Sequence, residues 1–229
     1  MKKLSFDSRM SKKQLIAVLL WLPVHLIVLP MALSVLAELR GFGDTILNLL
    51  LYGTGALYML LVLWRFFRRD FDALCDRPLM VLLLVVGAYV VSRFLDVFVA
   101  LLLDRLVPGS SNANNDAVIE MVKSQIGPTA ALTVFFAPLV EESIFRGAIF
   151  GSLRRRSRFL AYTVSILAFA LYHVLGDALF DPQQLLFALQ YVPAALALAY
   201  VYDATDCVWS SIFLHMLSNG IALYMVHAS

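Results

Sequence analysis

Residues 137 to 147 read Ala137-Pro-Leu-Val-Glu-Glu-Ser-Ile-Phe-Arg-Gly147. Two adjacent carboxylates, Glu141 and Glu142, and the guanidinium of Arg146 lie here inside an apolar run from about Thr129 to Leu153. A run of that length predicts a membrane-spanning helix, since about 20 apolar residues cover the hydrocarbon core of a bilayer. Ionisable groups at that depth are costly, so their presence points to a functional site.

Composition supports the same reading. The chain has 229 residues, 61% hydrophobic and 15% charged, with a mean hydropathy of +0.82. A soluble domain is typically about 45–50% apolar and about 25% charged. The expected fold class is therefore an all-α polytopic membrane protein, a bundle of about seven transmembrane helices with a membrane-embedded site. Membrane lipids are its expected surroundings, and no nucleic-acid partner is expected. Cys75 and Cys207 stand far apart and in no C-x-x-C pattern, which argues against a disulfide scaffold or a thiolate zinc site. The first apolar run, Gln14 to Ala37, is too long for the core of a cleavable signal and reads as a retained span.

Spans are expected at about 14–37, 46–64, 79–103, 128–153, 159–175, 184–201 and 207–226. Pro23 and Pro30 are expected to kink the first. Residues 65–77 read as a charged connection. Residues 104–127 form the long polar stretch, with a surface helix expected over 116–126 that turns Val118, Ile119 and Val122 to one face. The chain thus divides into 1–127, an N-terminal segment with three spans and a loop, and 128–229, a core of four spans. No internal repeat is evident.

Charge sets the orientation. Lys2, Lys3, Arg9, Lys12, Lys13, Arg65, Arg68, Arg69, Arg77, Arg154, Arg155, Arg156 and Arg158 fall on one side of this arrangement. Arg40, Arg105 and Lys123 fall on the other. Basic connections stay inside, so the N-terminus is expected in the cytoplasm, and seven spans put the C-terminus outside. The Arg154–Arg158 run is foremost a topology signal.

Depth then gathers the polar residues. At about 1.5 Å per residue, Glu141 lies roughly 18 Å from the inner end of its span, His173 roughly 21 Å and Asn219 roughly 18 Å, with His215 one turn nearer the cytoplasm. Groups on three spans therefore meet at one level. His215 and Asn219 share a helix face, as do Phe169 and His173. Glu142 and Arg146 are spaced i, i+4 with the acid first, the favourable order for an ion pair. Adjacent glutamates point about 100° apart on a helix. Glu142 can therefore pair with Arg146 while Glu141 faces a cavity. Peptide hydrolysis needs a base for water, a proton for the leaving amine and donors for the oxyanion. Glu141, His173, His215 and Asn219 supply those types. A His₂Glu zinc set of Glu141, His173 and His215 is the competing use, although no H-E-x-x-H is present. Zinc is then the cofactor, and the spacing leaves both readings open.

Glu141-Glu-Ser-Ile-Phe-Arg146 resembles the E-E-x-x-x-R motif of the CPBP intramembrane proteases, the type II CAAX prenyl endopeptidases and their bacterial relatives, also called the Abi family. Phe169-Ala-Leu-Tyr-His173 is similar to their F-x-x-x-H motif and His215-Met-Leu-Ser-Asn219 to their H-x-x-x-N motif. The resemblance covers about Thr129 to Val226. It implies an intramembrane endopeptidase in which Glu141 activates water with help from His173. His215 and Asn219 would stabilise the oxyanion, with Glu142 and Arg146 in support. The implied partner is a peptide or protein substrate, which in part of the family is lipidated. The alternative is a non-catalytic immunity or regulatory factor of the same fold.

Other polar residues have plainer expected roles. Arg93 and Asp96, spaced i, i+3, are expected to pair, with substrate carboxylate binding as the alternative. His25 is expected as a satisfied packing residue, His227 as solvated, and Tyr191 and Trp209 as ordinary packing or lipid-facing groups. The site is expected to be reached from the cytoplasmic half.

Overall fold

A computed structural model describes residues 6–228. Lys2 and Lys3, which contribute to the expected orientation, lie outside the described residues. Among the described residues there is no strand, and eight helices account for nearly the whole chain. The protein is an all-α, multi-pass membrane protein. Six helices are long and apolar enough to cross a membrane: Lys12–Arg40 (α1), Asp44–Asp76 (α2), Pro78–Leu106 (α3), Arg158–Ala178 (α6), Pro182–Thr205 (α7) and Val208–Ala228 (α8). The surface helix Ala113–Ser124 (α4) and the continuous helical stretch 126–154 (α5) complete the set. The remaining expected span, about 128–153, is α5. Glu141, Glu142 and Arg146 interrupt its apolar character, so it is not among the six.

Local sequence explains the boundaries. Ser11 caps α1 in a reciprocal box with Gln14, satisfying two backbone donors that a helix start leaves free. Gly41, at φ 69°, closes the helix in the left-handed conformation that a residue without Cβ adopts at little cost. Pro23 and Pro30 flank a widened π turn at Val24–Val28, which carries His25 into the bundle. The charged run 65–77 is not a separate connection. α2 continues through it as one 33-residue helix, roughly 50 Å long and longer than the ~30 Å hydrocarbon core. Phe66, Phe67 and Asp70 of that extension are buried, and their packing holds it helical. α4 starts three residues earlier than expected, capped by the Asn112 side chain; Val122 is buried as expected.

α5 is the axis of the bundle, packed against α2, α6, α7 and α8. Every residue from Ala137 to Ala148 is buried. One hydrophobic core joins Met59 and Leu63 of α2 to Val140 and Ile144 of α5, Ala195 and Tyr202 of α7, and Ile212 of α8. It therefore takes in both the 1–127 and the 128–229 segments. The outer faces carry the apolar groups that meet lipid, such as Leu20, Leu61, Leu83 and Phe94.

At the basic end, residues 6–11 are tied under the bundle. The Asp206 carboxylate, on a residue at φ 54°, accepts the backbone N–H groups of Asp7 and Ser8. The Ser8 hydroxyl bonds Asp70 and Tyr202, and Asp70 accepts the Val208 N–H at 2.8 Å.

Candidate active site

The site is assembled from α5, α6 and α8. Glu142 and Arg146, one turn apart on α5, pair at 3.2 Å with both side chains fully buried. Arg146 also donates to the Ala195 carbonyl at 3.0 Å and lies 4.5 Å over the Phe169 ring. Its charge is thus met by a carboxylate, a carbonyl and an aromatic face, as a guanidinium out of water requires. Phe169, the first residue of the second motif, is the floor on which the site rests.

Glu141 points the other way, as the 100° offset requires, into a cavity of about 640 Å³. Its Oε2 lies 3.6 Å from His173 Nε2 and 3.9 Å from His215 Nε2. That oxygen is buried and accepts no hydrogen bond from any described residue. The far sides of both imidazoles are anchored. His173 Nδ1 meets the Phe169 carbonyl at 2.8 Å; a carbonyl only accepts, so the proton is on Nδ1 and the Nε2 lone pair faces Glu141. His215 Nδ1 meets Glu142 Oε1 at 2.9 Å and donates to that carboxylate, so His215 bridges the two glutamates. The depth argument thus brings Glu141, His173 and His215 together. It gives no hint of the His215–Glu142 bond.

Asn219 lines the same cavity, and its amide donates to the Thr133 carbonyl at 2.8 Å. That carbonyl is free for a local reason. α5 is widened over Ala131–Phe136, so the Ala137 N–H reaches back to Leu132, and the next residue, Pro138, has no N–H. Asn219 fills the gap in the ladder with one amide hydrogen and retains the other.

Three tyrosines belong to the site without any motif to mark them. The Tyr52 hydroxyl of α2 is turned to Glu141 and bonds the Tyr172 hydroxyl at 2.7 Å. Tyr172 in turn lies 3.4 Å from His25 Nε2. His25 is therefore joined to the site through two phenols and is not an isolated packing residue. Tyr191, expected as ordinary packing, stacks on the His173 imidazole with ring centroids 4.3 Å apart. Its hydroxyl takes part in bonds with Asn112, Asn114 and Asn115 at the start of α4. A tyrosine next to a motif histidine was the available signal for Tyr172; Tyr52 had none.

Arg93 and Asp96 pair at 2.8 Å as expected and lie on the cavity wall. Among the described residues, no group of three or more His, Cys, Asp or Glu side chains is arranged to hold a metal ion. The cavity runs from the level of Glu141 toward α4, away from the basic end, where residues 6–11 and a fully packed α5 close the bundle.

Residues 124–221 match the family model described as Type II CAAX prenyl endopeptidase Rce1-like. The chain is also 26% identical over 118 residues to the Bacillus subtilis (strain 168) protein named "Putative membrane peptidase YdiL". That match covers 51% of this chain and 44% of the relative, so the chain spans less than half the length of the curated relative it matches. No solved structure matches the chain. The segment 124–221, which carries Glu141, Glu142, Arg146, His173, His215 and Asn219, thus matches the type II CAAX prenyl endopeptidase family that the three motifs resemble.

Proposed function

We propose that the chain is an intramembrane endopeptidase that hydrolyses a peptide bond with a water activated by Glu141. The observation that carries this reading is the convergence of two imidazole Nε2 atoms, at 3.6 and 3.9 Å, on a buried carboxylate oxygen that accepts no hydrogen bond from the described residues. Those separations leave room for one water among the three groups. Glu141 takes the proton of that water as its oxygen attacks the scissile carbonyl, with the His173 lone pair orienting the second hydrogen. The tetrahedral oxyanion falls to His215, protonated at Nε2 and held at Nδ1 by Glu142, and to the second amide hydrogen of Asn219. Glu141 then returns the proton to the leaving amine. Glu142 and Arg146 fix His215 and hold the local charge in balance. The N-terminus is assigned to the cytoplasm, on the distribution of Lys and Arg.

The test is hydrolysis in detergent of a fluorogenic prenylated peptide and its unprenylated counterpart, with wild type beside Glu141→Gln. The amide keeps the shape and removes the base, so cleavage should fall by at least about 10²-fold with the fold intact. A Glu141→Gln protein that cleaves like wild type would sink the mechanism. Loss of wild-type cleavage with a zinc chelator, restored by zinc, would replace it with a metallopeptidase. A wild type silent on both peptides would move the weight to a non-catalytic membrane factor.

A further inference from the structure

The cavity is one-sided along the bundle axis. Each helix contributes mainly from one half. Tyr52 comes from the first half of α2, Asp96 from the second half of α3, Thr133 from the first half of α5, His173 from the end of α6, Tyr191 from the first half of α7 and Asn219 from the second half of α8. Given the alternating directions of the helices, these are the halves that share an end with α4. Toward the other end, α5 is solid: Ser143, Ile144, Phe145, Arg146, Gly147, Ala148 and Phe150 are all buried. The N-terminal segment then lies flush on it. A Cβ added at Gly147 would sit 2.5 Å from the Met10 side chain, and the Phe6 ring packs edge-on against Tyr202 and Phe150. A second, more open groove at that end is lined by Arg9, Arg65 and Arg69 and includes no site residue.

The closed end is also the basic end, with Arg65, Arg68, Arg69, Arg77 and the Arg154–Arg158 run. Basic connections are retained on the cytoplasmic side of a bilayer. We propose that the site takes its substrate from the extracytoplasmic side, as an extended peptide segment of an exported chain. This rests on the peptidase reading above and narrows its substrate class. The chemistry of the mouth agrees. Asn48, Asn114, Asn115 and Gln190 present carboxamides beside the apolar Val118 and Met121. Carboxamides both donate and accept, the pattern that a peptide backbone needs, and the apolar groups suit its side chains. A cytoplasmic tail would meet Phe6, Tyr202 and the Asp206 latch instead.

Sidedness can be read without any catalysis. Cys75 is exposed near the basic end and Cys207 is buried. Burial pushes the Cys207 thiol up to about 12, so it stays unreactive toward maleimide at neutral pH. A membrane-impermeant maleimide should label wild-type Cys75 in inside-out vesicles and not in intact cells. In a Cys75→Ala chain, Asn115→Cys should be labelled in intact cells and not in inside-out vesicles. The reverse pattern overturns the proposal. A quenched impermeant peptide should be cleaved by right-side-out vesicles only; cleavage confined to inside-out vesicles also overturns it. Labelling as expected with no cleavage in either vesicle would overturn the peptidase reading and keep the assignment of the open face.

Discussion

Arg146 illustrates how much a single side chain carries here. It is fully buried, it neutralises Glu142, and Glu142 in turn holds His215. Removing one member of a buried pair leaves the other charge unmatched, at a cost of about 3–5 kcal/mol. Arg146→Met should therefore lower the unfolding temperature in detergent markedly. The double variant Glu142→Gln, Arg146→Met should recover much of that stability while cleavage stays lost, because His215 has no charged anchor. Equal unfolding temperatures for wild type and Arg146→Met would mean that water reaches Glu142. In the proposed mechanism Tyr52 acts on the base, Glu141, and not on the pair. With its hydroxyl held by Tyr172 at 2.7 Å, it can orient the Glu141 carboxylate. Tyr52→Phe should reduce kcat about tenfold with KM nearly unchanged. A rise in KM alone would place Tyr52 in substrate binding.

Among the elements, the irregular turns of α5 make the site. A regular helix through Ala131–Phe136 would occupy the Thr133 carbonyl with a backbone N–H. The widened turn and Pro138 leave it free, and Asn219 of α8 closes it at 2.8 Å. This bond fixes α8 against α5 one turn from His215. Asn219→Ala leaves a carbonyl unpaired and should cost about 1–3 kcal/mol of stability. Adding Pro138→Ala restores an N–H at the right place and should return part of that loss, read as a rise in unfolding temperature. No recovery would mean that Asn219 serves the cavity more than the helix. α7 shows a similar division of labour. Its tighter first segment, Pro182–Tyr191, places Tyr191 on His173, and its regular second segment, Val192–Thr205, supplies the Ala195 carbonyl to Arg146.

Across the bundle, polar groups are sorted by end. The basic end is latched through Ser8, Asp70, Tyr202 and Asp206. The α4 end is joined by neutral carboxamides around Tyr191 and Gln190. A closed basic end and an open opposite end give the bundle one direction of access. The two-sided labelling of Cys75 and Asn115→Cys tests that direction independently of turnover.

The order of amino acids alone dictates the class of fold and most of the site. Long apolar runs require spans, and the cost of burying charge makes Glu141, Glu142 and Arg146 conspicuous. Helical rise and the alternation of span direction then place His173 and His215 at the same depth, because depth along a helix is nearly linear in residue number. Helix rotation and lateral packing, by contrast, were not legible. The chain does not encode in any short pattern that Tyr52 of α2 faces Glu141 or that His215 reaches across to Glu142. It also does not say that Tyr191 lies on His173. The charged end of α2 read as a loop because composition ignores the partners that keep it helical, such as Trp209, whose indole N–H bonds the Phe67 carbonyl. The open end of the cavity was not legible for the same reason. Which end of a bundle is sealed depends on contacts among segments 6–11, α5 and α7, which are far apart in sequence and meet only when the helices pack.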